Sequence, residues 1–573
     1  MPDIPDNSTT TATVQVGGQF SDSLEVAGDR DWVAVTLTEG VSYEISLSGS
    51  GGTPVSDTYL RIYDDAGNEI AFDDDSGEGT NSLLTLLAAY SGTFFISAGE
   101  FGDNATGSYT IEVTETQPPD FLDSIDWGTE VADTSIKVYF AAAGERFDGE
   151  TSLGWNDYEI QQAMLALQQF SNVCNVSFTI TGNADKADFR LVTNTSDEYL
   201  GYFNPPGTRN DGVGVFSQTG TGWDETLEGT GGLEQGGYGF ITLIHEFGHG
   251  MGLAHPHDGG GSSDIWQGVT DPFDSYGQFD LNQGIYTVMS YNDGWNLHPS
   301  GENTDNPNGW QGTLMAFDIA LLQQKYGAAD FATGDDTYVL TDVNEVGTYF
   351  ACIWDSAGVD EIVYDGDLDA LIDLRAAHLG YAEGSGGFIS FVEDTYGGFT
   401  IANGVVIENA TGGSGDDEMT GNDAGNVLDG GAGKDTLDGQ DGADDLRGGS
   451  RNDDLTGGLG QDAMRGGSGR DDFIFRSVAD SETGNGTQDT IEDFRSGKDR
   501  IDLSGMDAAF GGTAQDAFIW LDDGGFTETA GELRWKATAD GVKLMADHDG
   551  DGDADFTVVL AGLTAVTLDD LTL

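Results

Sequence analysis

The stretch HEFGHGMGLAH, residues 245–255, holds three of the seven histidines in a chain of 573 residues. On a helix, side chains four apart share a face about 5–6 Å from one another, so His245 and His249 can turn toward one ion. Glu246 falls beside that point rather than on it. Gly252 accepts the positive φ that ends a helix sharply, which lets the chain reverse and deliver His255 as a third imidazole. Three neutral imidazoles leave one corner of a tetrahedral zinc site open to water, the catalytic rather than the structural arrangement. Zinc brings the pKa of such a water to about 7, and Glu246 stands where it can take the proton. The competing readings are a helix with inert surface histidines and a closed structural site. The scarcity of histidine argues against the first, and a closed site would favour cysteine.

Composition narrows the setting. Aspartate and glutamate number 101 against 21 lysines and arginines, a formal net charge of −80. Such a chain repels phosphate backbones and anionic bilayers, so nucleic acid and membrane are excluded as partners. The acids point instead to hard cations such as calcium, or to a saline medium. The 87 glycines show no collagen period and must serve turns or a repeat. No run of 18 apolar residues is present to cross a bilayer. The first residues, MPDIPDNSTTTATVQV, lack the basic and apolar regions of a secretory signal. Cys174 and Cys352 form no disulfide framework; they are either two buried thiols or one long-range bridge.

The length predicts several domains. Residues 1–116 alternate in short strands with turn punctuation, which predicts a β-sandwich. The GDRDW stretch at 28–32 and the hairpin YLRIYDDAGNEIAFDDD are similar to the pre-peptidase C-terminal domain family. That module usually follows a protease; here it comes first, as an accessory or latency element. Its Asp73, Asp74 and Asp75 are either a solvated turn or a calcium site. TETQPPD at 114–120 reads as a linker. Residues 120–330 mix strands with helices, including one whose Asn156 and Glu159 form a capping box and whose Ile160, Met164, Leu167 and Phe170 recur at helical spacing. This predicts an α/β catalytic domain, a sheet packed by two long helices. A β-roll is expected over 331–475 and a C-terminal β-sandwich over 476–573.

The roll follows from a nine-residue period that begins at Gly412 and approximates G-G-x-G-x-D-x-U-x. Its sixth position carries Asp417, Asn426, Asp435, Asp444, Asp453, Asp462 and Asp471, and its eighth Met, Leu or Phe. Glycines allow tight loops with inward carbonyls, and these with the aspartates supply the six to eight oxygens that Ca²⁺ takes. A flexible acidic linker would not hold an apolar residue in phase. Ala424 and Arg451 replace two fourth-position glycines. DHDGDGDAD at 547–555 opens like an EF-hand loop, but Val558 stands where the closing glutamate belongs; a strand–turn–strand with optional calcium is expected.

The histidine motif followed by YTVMSY at 286–291 resembles the metzincin zinc endopeptidases. HPHDG after His255, DIALLQQKYGA from Asp318 and the nonapeptide array single out the serralysin type. The resemblance implies that Met289 forms an apolar floor beneath the zinc and that Tyr291 stabilises the oxyanion. It implies further calcium positions at Gly334, Asp336, Asp355, Gly358, Asp360 and Glu408, with Ala332 where the family carries an arginine that ligates through its carbonyl. It implies a secreted, monomeric endopeptidase with protein and peptide substrates, exported by type I secretion machinery that reads a C-terminal signal such as TLDDLTL. His257, His298, His378 and His548 fall outside the motif and read as ordinary histidines. A calcium-dependent extracellular adhesion protein with a vestigial protease domain is the rival reading; the intact Glu246 and Tyr291 stand against it.

Overall fold

The computed structural model describes residues 4–38, 41–74, 76–77, 79–88, 90–116, 121–226, 230–484, 486–509 and 517–573. Most of the expected linker, and Asp75, lie outside them. The chain divides into two compact units, Met1–Phe121 and Leu122–Leu573.

In the first unit, strands with alternating burial build two four-stranded antiparallel sheets. One contains Gly18–Leu24, Ser42–Gly49, Ser82–Leu87 and Gly107–Thr116; the other contains Asp31–Leu37, Thr58–Tyr63, Glu69–Asp73 and Gly92–Glu100. Val33, Val35, Ile45, Leu60, Ile62, Ile96 and Ile111 interdigitate between them in a single core. The Asp73 carboxylate accepts from the backbone N–H groups of Ser76 and Leu83, which closes a turn.

The second unit opens with a five-stranded sheet in the order Ser177–Ile180, Ser135–Phe140, Phe189–Asn194, Val213–Ser217, Gly201–Phe203. The last strand runs antiparallel to its neighbour and the others are parallel. Helices α1 (Asp157–Val173), α2 (Tyr238–Gly250) and α3 (Ala316–Tyr326) belong to this region. Asn156 and Glu159 cap α1 reciprocally. The buried face of α1 is carried by Ala163, Ala166, Leu167 and Phe170, while Ile160 and Met164 stay half-exposed. The small alanines let the helix approach its neighbours closely, which an apolar count alone does not register.

From residue 337 onward two long sheets run side by side. Strands two nonapeptides apart pair in parallel register, so Leu428 lies beside Leu446, which lies beside Met464. On the opposite sheet Met419, Leu437, Leu455 and Phe473 form the matching column. All seven are essentially inaccessible to solvent. One apolar residue per nine is thus enough when the turns stack, because each fills the space between neighbours above, below and across. The columns continue past the repeat through Ile491 and Leu560 on one side and Ile501 and Leu571 on the other. DHDGDGDAD joins the antiparallel strands Gly541–Asp547 and Phe556–Ala561.

Leu446→Ala is expected to destabilise the calcium-saturated roll by about 2–5 kcal/mol through the cavity it leaves. Denaturant unfolding at saturating calcium measures this, and a change below about 0.5 kcal/mol would mean the column is not a packed core.

Candidate functional site

α2 is apolar along Phe240, Ile241, Leu243, Ile244 and Phe247, which fixes it against strands Gly201–Phe203 and Val213–Ser217. Its remaining face presents His245 and His249. The helix stops at Gly252, where φ is +89° and a Cβ would lie 2.2 Å from the Thr129 carbonyl oxygen. Ala254 then donates its N–H to the Ile125 carbonyl, and the reversed chain brings in His255.

Each imidazole is anchored through Nδ1. That of His245 lies 2.7 Å from the Val288 carbonyl oxygen, that of His249 3.0 Å from the Leu253 carbonyl oxygen, and that of His255 2.9 Å from Asp258 Oδ2. A nitrogen on such an acceptor carries the proton, so each Nε2 presents a lone pair. The Nε2 of His255 is 3.2 Å from that of His245 and 2.9 Å from that of His249. Lone pairs this close repel unless a cation lies among them. Burial holds His245 well below the ordinary imidazole range and His249 down to about 3, so both stay neutral. These residues fit a divalent metal with nitrogen ligands.

Glu246 is 7 % exposed, and its Oε2 has no hydrogen-bond partner. Burial pushes its carboxyl up to about 8. The glutamate faces Gly201, where a Cβ would come 2.8 Å from its Cγ. Met289 is fully buried beneath α2, and a Cβ on Gly248 would strike its Sδ at 2.7 Å. The Tyr291 ring lies 4.7 Å from His255 and 5.7 Å from His245. A cleft of about 460 Å³ opens beside these groups, lined by Trp127, Tyr202, Phe203, Glu246, His249 and Asp258 among others.

The calcium positions divide. Asp336, Asp355 and Asp360 bring carboxylate oxygens within 4.8 Å of one another. Glu408 Oε2 accepts from the Asp360 N–H, and the Gly334 carbonyl faces Gly358. From Asp435 onward, one oxygen of each sixth-position carboxylate accepts the N–H of the sixth residue 18 positions earlier, as Asp435 does from Asp417 and Asp462 from Asp444. The other oxygen of Asp435, Asp444, Asp453 and Asp462 is buried with no partner. It faces the first glycine of its unit, where a Cβ would come within 2.4–2.6 Å. Bare anionic oxygens held in a cradle of glycines fit a hard cation. Asp417 and Asp471 differ, since their second oxygens accept from Gly413 N–H and Arg495.

The family description "Peptidase M10 serralysin C terminal" matches residues 323–573. The metallopeptidase AprA of Pseudomonas marginalis is 34 % identical over 82 % of this chain and 92 % of its own length. Serralysin of Proteus mirabilis is 36 % identical over 73 % and 82 %, and serralysin C of Dickeya chrysanthemi 33 % over 81 % and 91 %. The chain belongs to the serralysin family. It is a zinc metalloendopeptidase. The pre-peptidase C-terminal domain of a Bacillus anthracis collagenase overlays 18 % of this chain and 92 % of its own at 17 % identity, with a TM-score of 0.15, too small to support an assignment.

Several serralysin residues escape a motif reading. His257, expected to be an ordinary histidine, stacks on His255 with centroids 4.8 Å apart and packs on Tyr291 at 4.4 Å. Asp258 orients His255. Asp318 at the start of α3 accepts from the N–H groups of Val288 and Met315 and from the Thr287 hydroxyl, which fixes the turn that carries Met289. Its capping position three residues after Met315 is the sequence signal that could have marked it. Asp489 and Asp499 prolong the carboxylate ladder by accepting from Asp462 and Asp471 N–H. Each precedes an apolar residue by two, as in the repeat, but of the in-phase glycines only Gly484 and Gly497 remain. His298 and His378 lie elsewhere, on the carbonyls of Thr395 and Glu383. Cys174 and Cys352 are buried free thiols. Among the described residues, no helix is long and apolar enough to cross a membrane.

In the absence of calcium, burial raises Asp435 and Asp444 to about 7 and Asp462 to about 6. A carboxyl whose folded pKa exceeds its unfolded value near 3.9 stabilises the fold at low pH and loses that contribution as pH rises through the folded value. The thermal midpoint of the chelator-treated roll should therefore fall between pH 5 and 8. Calcium requires the ionised carboxylates, so the trend should reverse at saturating calcium. Calorimetry across this range in both conditions checks the pair of slopes.

Proposed function

We propose that this serralysin is a secreted endopeptidase of the metzincin type whose proton transfers run through Glu246, with calcium holding the roll. The carrying observation is the convergence of three Nε2 lone pairs beside the bare Oε2 of a buried glutamate. His245, His249 and His255 would hold zinc, which when bound supplies Lewis-acid polarisation of the scissile carbonyl and of the attacking water. Glu246 takes the proton of the water and hands it to the leaving amine. A carboxyl raised toward neutrality by burial suits both halves of that exchange. The Tyr291 hydroxyl stays protonated, since burial pushes it up to about 12, and can donate to the developing oxyanion. The adjacent cleft takes an extended segment of a protein substrate.

On this reading residues 120–330 form the metzincin catalytic domain, 331–475 the calcium β-roll and 476–573 a C-terminal β domain. Gly334, Asp336, Asp355, Gly358, Asp360 and Glu408 supply calcium ligands at the start of the roll. In low calcium the bare carboxylates oppose folding, and calcium outside the cell completes it by binding only the folded state. The chain works as a monomer and leaves by type I export, read from its C-terminal residues. Residues 1–116 form an accessory sandwich.

Glu246→Gln should lower kcat/KM on an internally quenched peptide by about 10²–10⁴-fold while zinc content stays that of the parent. A variant that keeps zinc and loses less than tenfold would remove Glu246 from the mechanism. Tyr291→Phe should cost about 10²–10³-fold in kcat with little change in KM.

A further inference from the structure

The carboxylate ladder stops differently at its two faces. On one face it runs Asp417, Asp435, Asp453, Asp471 and Asp499, each linked by an N–H to the next carboxylate. The spacing is 18 residues until Asp471, then 28, because a loop carrying Arg495 is inserted before Asp499. Asp435 and Asp453 each keep a bare, buried Oδ2. At Asp471 the equivalent oxygen lies 2.9 Å from the Arg495 guanidinium. The same terminal nitrogen donates to the Gly469 carbonyl at 3.1 Å and to Asp499 Oδ1 at 3.1 Å, and Nε donates to Asp499 Oδ2 at 3.1 Å. A turn carbonyl from the fourth position and two ladder carboxylates are the ligand types the repeat offers calcium.

Arg495 is held there by its own backbone. Its N–H donates to Asp499 Oδ2 at 2.8 Å, and its carbonyl accepts from Lys498 and Asp499. The Asp471 and Asp499 side chains are 0 % and 1 % exposed, so this cationic group neutralises charge that water does not reach. The opposite face runs Asn426, Asp444, Asp462, Asp489 and ends with the Oδ2 of Asp489 bare.

We infer that the position between Asp471 and Asp499 is a cation site of the ladder filled by the protein's own guanidinium, so that Arg495 stands in for a calcium ion there. The inference rests on the calcium reading of the ladder. It makes this end of the roll a turn already neutralised before any metal arrives, against which the turns that need calcium can stack.

Counting bound calcium per chain tests it, by elemental analysis of the full-length protein freed of loose metal. Arg495→Ala should bind one calcium more than the parent, and its folding should shift to higher calcium concentration. Arg495→Lys, which keeps a tethered cation, should bind the parent's number. An unchanged count in Arg495→Ala overturns the inference, as does an extra ion in Arg495→Lys. So does an Arg495→Ala chain that stays unfolded at every calcium concentration, since an ion should replace the lost charge. A parent chain that binds no calcium would instead overturn the reading of the ladder itself.

Discussion

Side chains with two polar atoms, one spent on the backbone and the other turned inward, shape both the histidine cluster and the carboxylate ladder of this protein. In the ladder, one carboxylate oxygen takes the N–H of the neighbouring turn, and the second is left facing glycine. In the catalytic cluster, Nδ1 of His245 and His249 is bound to a carbonyl, and Nε2 is left facing the other imidazoles. Anchoring one atom fixes the position and the protonation of the other. It also holds like charges or lone pairs close together out of water, which is unfavourable for the bare groups.

The same logic explains where the ladder carries no bare oxygen. Asn426 occupies a sixth position on one face, and its amide nitrogen donates to the Glu408 carbonyl and to Asn422 Oδ1. Asp417, first on the other face, gives its second oxygen to the Gly413 N–H. Both solutions satisfy the first turn from within the chain. The bare oxygens begin one turn later, at Asp435 on one face and Asp444 on the other, and on the second face they run on to Asp489.

Residue spacing made much of this legible before any coordinates. The pair His245 and His249, the reversal at Gly252 and the phase of Leu428, Leu446 and Met464 follow from helical and nonapeptide periods, which are local properties of the chain. What spacing does not carry is the partner brought from a distance. Asp318 reaches Val288 across 30 residues, and the bond between Asp258 and His255 depends on the path of the chain after its reversal rather than on a period. His257 looked ordinary because its neighbour Tyr291 is 34 positions away. Asp489 and Asp499 keep the register of the repeat with only Gly484 and Gly497 left of its glycine signature, so the ladder outlasts its own pattern.

The floor of the catalytic cleft and the first turns of the roll share one support. Strand Phe350–Ile353 exchanges backbone hydrogen bonds with Trp310 and Gly312, and Cys352 N–H donates to the Thr313 hydroxyl. Two residues on, Met315 N–H and Asp318 close the start of α3, and the Asp318 carboxylate holds Thr287 and Val288. Val288 in turn accepts from His245 Nδ1. Hydrogen bonds joined by a short run of backbone at residues 313–315 thus connect this strand to the His245 imidazole. Each step is buried or half-buried, and Asp318 receives three donors in a setting that raises its pKa to about 6. Loss of any one donor there leaves a buried carboxylate under-satisfied, at a cost of about 1–3 kcal/mol. The Val288 carbonyl that sets the tautomer and aim of His245 is thus held by the same segment that pairs with strand Phe350–Ile353.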